Sequence, residues 1–238
     1  MPERDINTLG MFGRYSVEEK RRLYEALKPF FSERRQELFE RLAPLRTRHI
    51  SVLIEDIYQP HNASAVLRSC DCFGVQDVHV VERHNRFNPA GDVAVGSSKW
   101  VDYYKYGSIG DAVAHLRGKG YRIVATLPHE KDTLIADLDI SRPTVLMFGT
   151  ELTGLTQEAI DLADGYVKIP MYGFTESFNI SVSAALCLYS VTERMRRDEG
   201  IDWRLTEEER LELQLEWAVQ TIKDGAKVAE QVARSLGM

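Results

Sequence analysis

From Ser51 onward the chain alternates short apolar runs with segments whose apolar residues recur at helical spacing, and this alternation constrains the fold more than anything else in it. Strands that return through helices run parallel, so an α/β fold is expected, a mostly parallel sheet flanked by helices. Strands are read at Ser51–Ile57, Asp77–Glu82, Trp100–Tyr106, Tyr121–Leu127, Thr144–Gly149 and Tyr166–Met171, and helices at Asn62–Phe73, Ser108–Lys119, Gln157–Ala163 and Asn179–Arg197. A leading helical segment covers about Ser16–Leu42, and TEEERLELQLEWAVQ reads as a capped amphipathic helix beginning at Thr206. With 238 residues and 44% hydrophobic content the chain can bury one full core and carry appendages. The expected division is a basic helical N-terminal extension (1–48), a core domain (49–198) and a C-terminal helical extension (199–238).

Several function classes drop out on pattern. No run approaches the roughly 18 apolar residues of a membrane span, and the N-terminus lacks an apolar signal core, so a cytoplasmic protein with no membrane partner is expected. The first strand, SVLIED, runs into its helix with no glycine in the turn, which disfavours a dinucleotide site or a Rossmann-type methyltransferase. Signatures of nucleotide triphosphate binding, of a serine elbow and of a zinc protease are missing, and the six histidines are scattered without ligand spacing, so no metal is expected. Cys70, Cys72 and Cys187 read as reduced core residues. The net charge of −6 argues mildly against a nucleic-acid partner, but Arg14–Arg48 holds ten basic residues against six glutamates. Arg34, Arg35, Arg46 and Arg48 are the candidate phosphate contacts there, or else part of a solvated helix face, and Lys99 is a further candidate in the polar loop Arg83–Trp100, read as mobile and able to close over a substrate.

Three segments carry the chemistry. QPHNASAVLRSCDCFGV (Gln59–Val75) sets Asn62 and Arg68 on a helix directly after a strand, where open α/β sheets keep their sites, with Arg68 off the apolar stripe. In VLMFGTELTGLT, Gly149 and Gly154 bracket Glu151, so backbone can approach a ligand while one carboxylate points into the same space. In VKIPMYGFTESFNISVSAALCLYSV, Ser177 and Asn179 precede a helix whose first turns hold Ser181, Ser183, Ala184 and Ala185; the pair either caps that helix or serves a site.

Together these segments resemble the SPOUT superfamily of RNA methyltransferases, and within it the TrmH-type tRNA 2'-O-methyltransferases. PHNxSAxxRxxDxxGV is matched by Pro60–Val75, FGxExxG by Phe148–Gly154 and IPMxGxxxSxNxSVxAA by Ile169–Ala185, in that order, and the similarity runs from about Val52 to Arg197. The resemblance implies a SPOUT fold with a C-terminal deep trefoil knot and a homodimer in which the third-motif helix meets the first-motif region. It implies S-adenosyl-L-methionine as methyl donor, held by Thr126, Gly149, Thr150, Glu151, Leu152, Thr153, Ile169 and Phe178. The reaction implied is 2'-O-methylation of tRNA at the D-loop guanosine numbered eighteen. Ribosomal RNA, another tRNA position and a non-catalytic RNA-binding module are the alternatives. Arg68 would accept the ribose proton, or bind the adjacent phosphate and steady the forming alkoxide, with Asn62, Glu151, Ser177 and Asn179 orienting the reactants.

Overall fold

The structure, a computed structural model, describes residues 3–4, 10–87, 96, 99–128 and 133–238. The chain divides into two compact units, Met1–Asp5 with Thr47–Trp203, and Ile6–Arg46 with Arg204–Met238. The first is an α/β unit. Its strands, β1 (Glu3–Arg4), β2 (Ile50–Glu55), β3 (Asp77–Val81), β4 (Asp102–Tyr106), β5 (Arg122–Thr126), β6 (Thr133–Leu134), β7 (Thr144–Phe148) and β8 (Gly165–Lys168), form one sheet in the order β1-β4-β3-β2-β7-β5-β8-β6. Only β1 is antiparallel to its neighbour; the other pairings are parallel. All six residues of β2 are buried because helices cover both faces of the sheet.

On one face, Val66, Leu67 and Cys70 of the first helix after β2 (Pro60–Cys72) pack with Ala184, Leu188 and Val191 of the long helix Ile180–Arg197. On the other face, Ala112, Val113 and Leu116 of the helix Ile109–Gly118 and Ala159 of the short helix Gln157–Asp161 cover Leu53, Ile123, Val145 and Met147. The chain runs from β2 outward to β3 and β4, and then crosses to β5 on the far side of β7. The loops after β2 and β7 therefore diverge at a switch in strand order, where open α/β sheets form crevices.

The second unit is helical: α1 (Val17–Leu27), α2 (Glu33–Leu42), and at the other end of the chain α7 (Glu207–Thr221) and α8 (Gly225–Ser235). The sheet helices above are accordingly α3 (Pro60–Cys72), α4 (Ile109–Gly118), α5 (Gln157–Asp161) and α6 (Ile180–Arg197). Tyr24, Phe31, Phe39 and Trp217 form a chain of ring contacts through this unit. The buried Lys20 bonds Glu208 at 2.8 Å and Glu212 at 3.3 Å, tying α1 to α7.

Each expected strand and sheet helix is present, with ends within a few residues. The leading helix, expected as one segment, is two. Pro29 lacks the amide a continuing helix needs, and Lys28–Phe30 form a single 3-10 turn instead. The helix expected from Thr206 does begin with a capping box, Thr206 and Glu209 bonding each other's backbone. It then breaks before α8, where Asp224 takes a left-handed φ of 53°. Most of the Arg83–Trp100 loop, residues 88–95 and 97–98, lies outside the described residues.

Candidate active site

Glu151 stands in the loop after β7, and its carboxylate is turned toward the chain entering α3. It accepts from Tyr58 N at 3.2 Å, from Gln59 N at 3.1 Å and from Asn62 Nδ2 at 2.7 Å. Burial pushes the Glu151 carboxyl up, but hydrogen bonds from Asn62 and from backbone amides outweigh it and hold the group below its ordinary value. Asn62, buried, accepts in turn through Oδ1 from Asn179 Nδ2 at 3.2 Å. Asn179 caps α6, accepting from Ser181 N at 2.9 Å and Ser181 Oγ at 2.6 Å. One hydrogen-bonded chain thus joins the first, second and third segments singled out in the sequence.

Beside that chain opens a cleft of about 490 Å³, within the range of small-molecule sites. It lies at the C-terminal ends of β5, β7 and β8 and is lined by Thr126, Gly149–Gly154, Ile169, Ser177, Phe178 and Asn179. The loop Thr150–Gly154 is closed on itself: Thr150 N donates to Gly154 O at 2.9 Å, Gly154 N to Thr150 O at 3.1 Å, and the Thr150 and Thr153 hydroxyls pair at 2.8 Å. A Cβ on Gly149 would stand 2.0 Å from the Gly154 carbonyl carbon, so only glycine permits this return. Thr126 presents backbone rather than hydroxyl, since its Oγ1 donates to Met147 O at 2.8 Å.

All eight residues expected at a cofactor therefore line one cleft, together with Ser177 and Asn179. Asn62 is not a lining residue but bonds two that are, Glu151 and Asn179, and Arg68 lies on the exposed side of α3, also outside the lining residues. Among the expected phosphate contacts, Arg34 and Arg35 are exposed on α2, and Lys99 is exposed. Arg46 and Arg48 need correction. Arg46 is buried with its guanidinium 5.8 Å from the Trp217 ring centre. Arg48 bonds the buried carboxylates Asp77 and Asp102, at the N-terminal ends of β3 and β4, the sheet edge opposite the cleft. Arg46 is thus enclosed, and the half-buried Arg48 has its guanidinium turned onto two carboxylates. Cys72 is also corrected: it is exposed, whereas Cys70 and Cys187 are buried. Among the described residues no cluster of three metal-ligating side chains occurs, and no helix is long and apolar enough to cross a membrane. Sequence reading missed Leu127, Pro128, Met171 and Cys187 in the cleft wall, and Glu55, which bonds Thr156 just after the cleft-lining loop; apolar residues and a strand-end carboxylate give no signal of a site.

Residues 49–189 match the sequence pattern of the SpoU rRNA Methylase family. The chain belongs to this family. It is 41% identical over 198 residues, 83% of this chain and 90% of the other, to the tRNA (guanosine(18)-2'-O)-methyltransferase of Borreliella burgdorferi. It is 35% identical to the enzyme of the same name from Thermus thermophilus, over 71% of this chain and 87% of that one. The SpoU fold is also seen in the crystal structure of the A. aeolicus TrmH/SpoU tRNA modifying enzyme, which superposes with a TM-score of 0.70 at 28% identity, covering 79% of this chain and 99% of that one.

Proposed function

We propose that the protein is an S-adenosylmethionine-dependent methyltransferase that places a methyl group on a ribose 2'-oxygen of tRNA, at guanosine 18 of the D-loop. The carrying observation is the Glu151–Asn62–Asn179 chain at the rim of the cleft, in a SpoU-family protein 41% identical to a relative of that name. The cleft fits the cofactor: most of its lining residues are apolar, and the carboxylate of Glu151 is already engaged by Asn62 of α3. Bound there, S-adenosylmethionine supplies a methyl on a sulfonium whose departure as a neutral thioether calls for no metal.

The protein's own task is to hold the ribose in line and to manage its proton. Gly149–Thr153, Thr126, Ile169 and Phe178 hold the cofactor; Asn62, Glu151, Ser177 and Asn179 set the rim. Arg68 binds the phosphate beside the target ribose and steadies the forming alkoxide, or takes the proton itself. Because Arg68 is outside the cleft wall, the site is completed in a homodimer whose interface joins the α3 region to α6. The exposed apolar side chains Val182, Leu186 and Tyr189, one stripe of α6, support that interface. The return of β7 between β2 and β5 supports a trefoil knot in the C-terminal part of the sheet. The helical extensions (1–48 and 199–238) hold tRNA through Arg34 and Arg35, and the protein works in the cytoplasm.

The test incubates the purified protein with labelled S-adenosylmethionine and unmodified tRNA or ribosomal RNA transcripts, and maps 2'-O-methyl groups by their block to alkaline cleavage. Label at guanosine 18, lost in Arg68→Ala, is the expected result. Label in ribosomal RNA alone would overturn the substrate, and label in neither would overturn the reaction.

A further inference from the structure

The loop Gly149–Leu155 is held from two sides. Glu151 reaches out of it to α3, while a second carboxylate reaches in. Glu55 is the last residue of β2 and 1% exposed. It accepts from Thr156 N at 2.9 Å and from Thr156 Oγ1 at 2.6 Å, so both oxygens serve the residue at which the loop ends. That hydroxyl also accepts from Ala159 N at 3.2 Å as the N-cap of α5. With one bond donated and one accepted, Thr156 is fixed in a single rotamer. Among the described residues the Glu55 carboxylate has Thr156 as its hydrogen-bonding partner and forms no ion pair. Burying a carboxylate is costly, and a threonine alone caps a helix adequately. The second carboxylate is explained by what it adds, a fixed distance between the end of β2 and the exit of the loop.

We propose that Glu55 is a positioning residue for cofactor binding, acting through Thr156 to set the backbone of Gly149–Leu155. This rests on the methyltransferase reading above. The segment from the end of β2 to the start of α3 then fixes the second motif twice, through Glu55 at the loop's exit and through the Glu151 contact at the entry to α3.

S-adenosylhomocysteine is titrated calorimetrically into the wild type and into Glu55→Gln, Thr156→Val, Thr156→Ser and the Glu55→Gln/Thr156→Val double variant. The KM for cofactor and for tRNA is measured on each. Loss of one buried charge-assisted bond predicts about tenfold weaker cofactor binding in Glu55→Gln and in Thr156→Val, with kcat at saturating cofactor and KM for tRNA within about twofold of wild type. Thr156→Ser, which keeps the hydroxyl, restores binding, and the double variant is no weaker than either single one. Thr156→Val breaks the same bond from the loop side, so a Glu55→Gln protein that fails to fold does not decide the matter. Unchanged cofactor affinity in Thr156→Val, or equal losses for cofactor and tRNA, would overturn the role of Glu55. A wild type that takes up no S-adenosylhomocysteine would overturn the methyltransferase reading itself, a separate and recognisable failure.

Discussion

Glu151 does its work as a fixed anion. Three donors converge on it, Tyr58 N, Gln59 N and Asn62 Nδ2, and replacing the half-buried carboxylate weakens all three bonds together. Asp56 acts similarly one strand end away. It holds a left-handed φ of 51° while its Oδ1 accepts from the amides of Arg83, His84 and Asn85 at 3.1, 2.7 and 2.8 Å. Burial raises the Asp56 carboxyl, but these three amides outweigh it and leave the group below its ordinary 3.8, as Glu151 is left below 4.5. Both groups are depressed in the folded state, so the unfolded chain takes up their protons first as the pH falls. Their contribution is complete above about pH 5 and is lost as the pH drops through the folded values. Glu151→Gln is expected to cost about 1–3 kcal/mol at pH 7. Urea midpoints of wild type and variant at pH 7, 5 and 3 check this: the gap stays constant between the first two and narrows at the third.

At the scale of elements, breaks matter as much as helices. Between α7 and α8 the chain passes Asp224 in the left-handed region, and a Cβ on Gly225 would lie 2.0 Å from the Val219 carbonyl oxygen. Backbone cannot give way as a flexible side chain does, so Gly225→Ala should destabilise the helical unit by at least about 2 kcal/mol, read from the thermal midpoint followed at Trp217. The sheet helix α6 and the helix α7 of the helical unit were legible because their apolar spacing and caps agree: Asn179 and Thr206 stand where a cap is needed and act as caps. Pro29 was equally plain as a residue type, yet the apolar period continues across it and conceals the break. The two-residue strands β1 and β6 are too short to show alternation. Site residues marked by glycine or by lone polar groups, such as Gly149 and Glu151, could be found by inspection. Arg46 and Arg48 misled because a charge in sequence looks the same whether it faces water or a buried Asp77. Glu55 was hidden for the converse reason: its partner Thr156 lies far along the chain, brought near only by the pairing of β2 with β7. Arg194 is of the same kind, its guanidinium donating to Leu138 O at 2.8 Å and Ile135 O at 3.1 Å and so fastening the approach to β7 onto α6.

At the scale of the whole molecule, the stripe Val182, Leu186 and Tyr189 sets a simple expectation. Light scattering behind size exclusion should give a dimer for wild type, and Leu186→Glu, which places a charge in the stripe, should weaken association by about a hundredfold and reduce methyl transfer with it. A monomeric wild type with full activity would remove the need for a second copy. The helical unit carries a different consequence. Its two halves, Ile6–Arg46 and Arg204–Met238, are separated in the sequence by residues 47–203 of the α/β unit. During synthesis α1 and α2 leave the ribosome before the α/β unit, but the residues that complete their core, Leu211, Leu215 and Trp217, leave after it. A chain made only as far as residue 203 therefore holds an apolar face it cannot cover, a target for chaperones and proteases, and the translation machinery that consumes tRNA can complete this helical unit only after residues 204–238 have followed the whole α/β unit out.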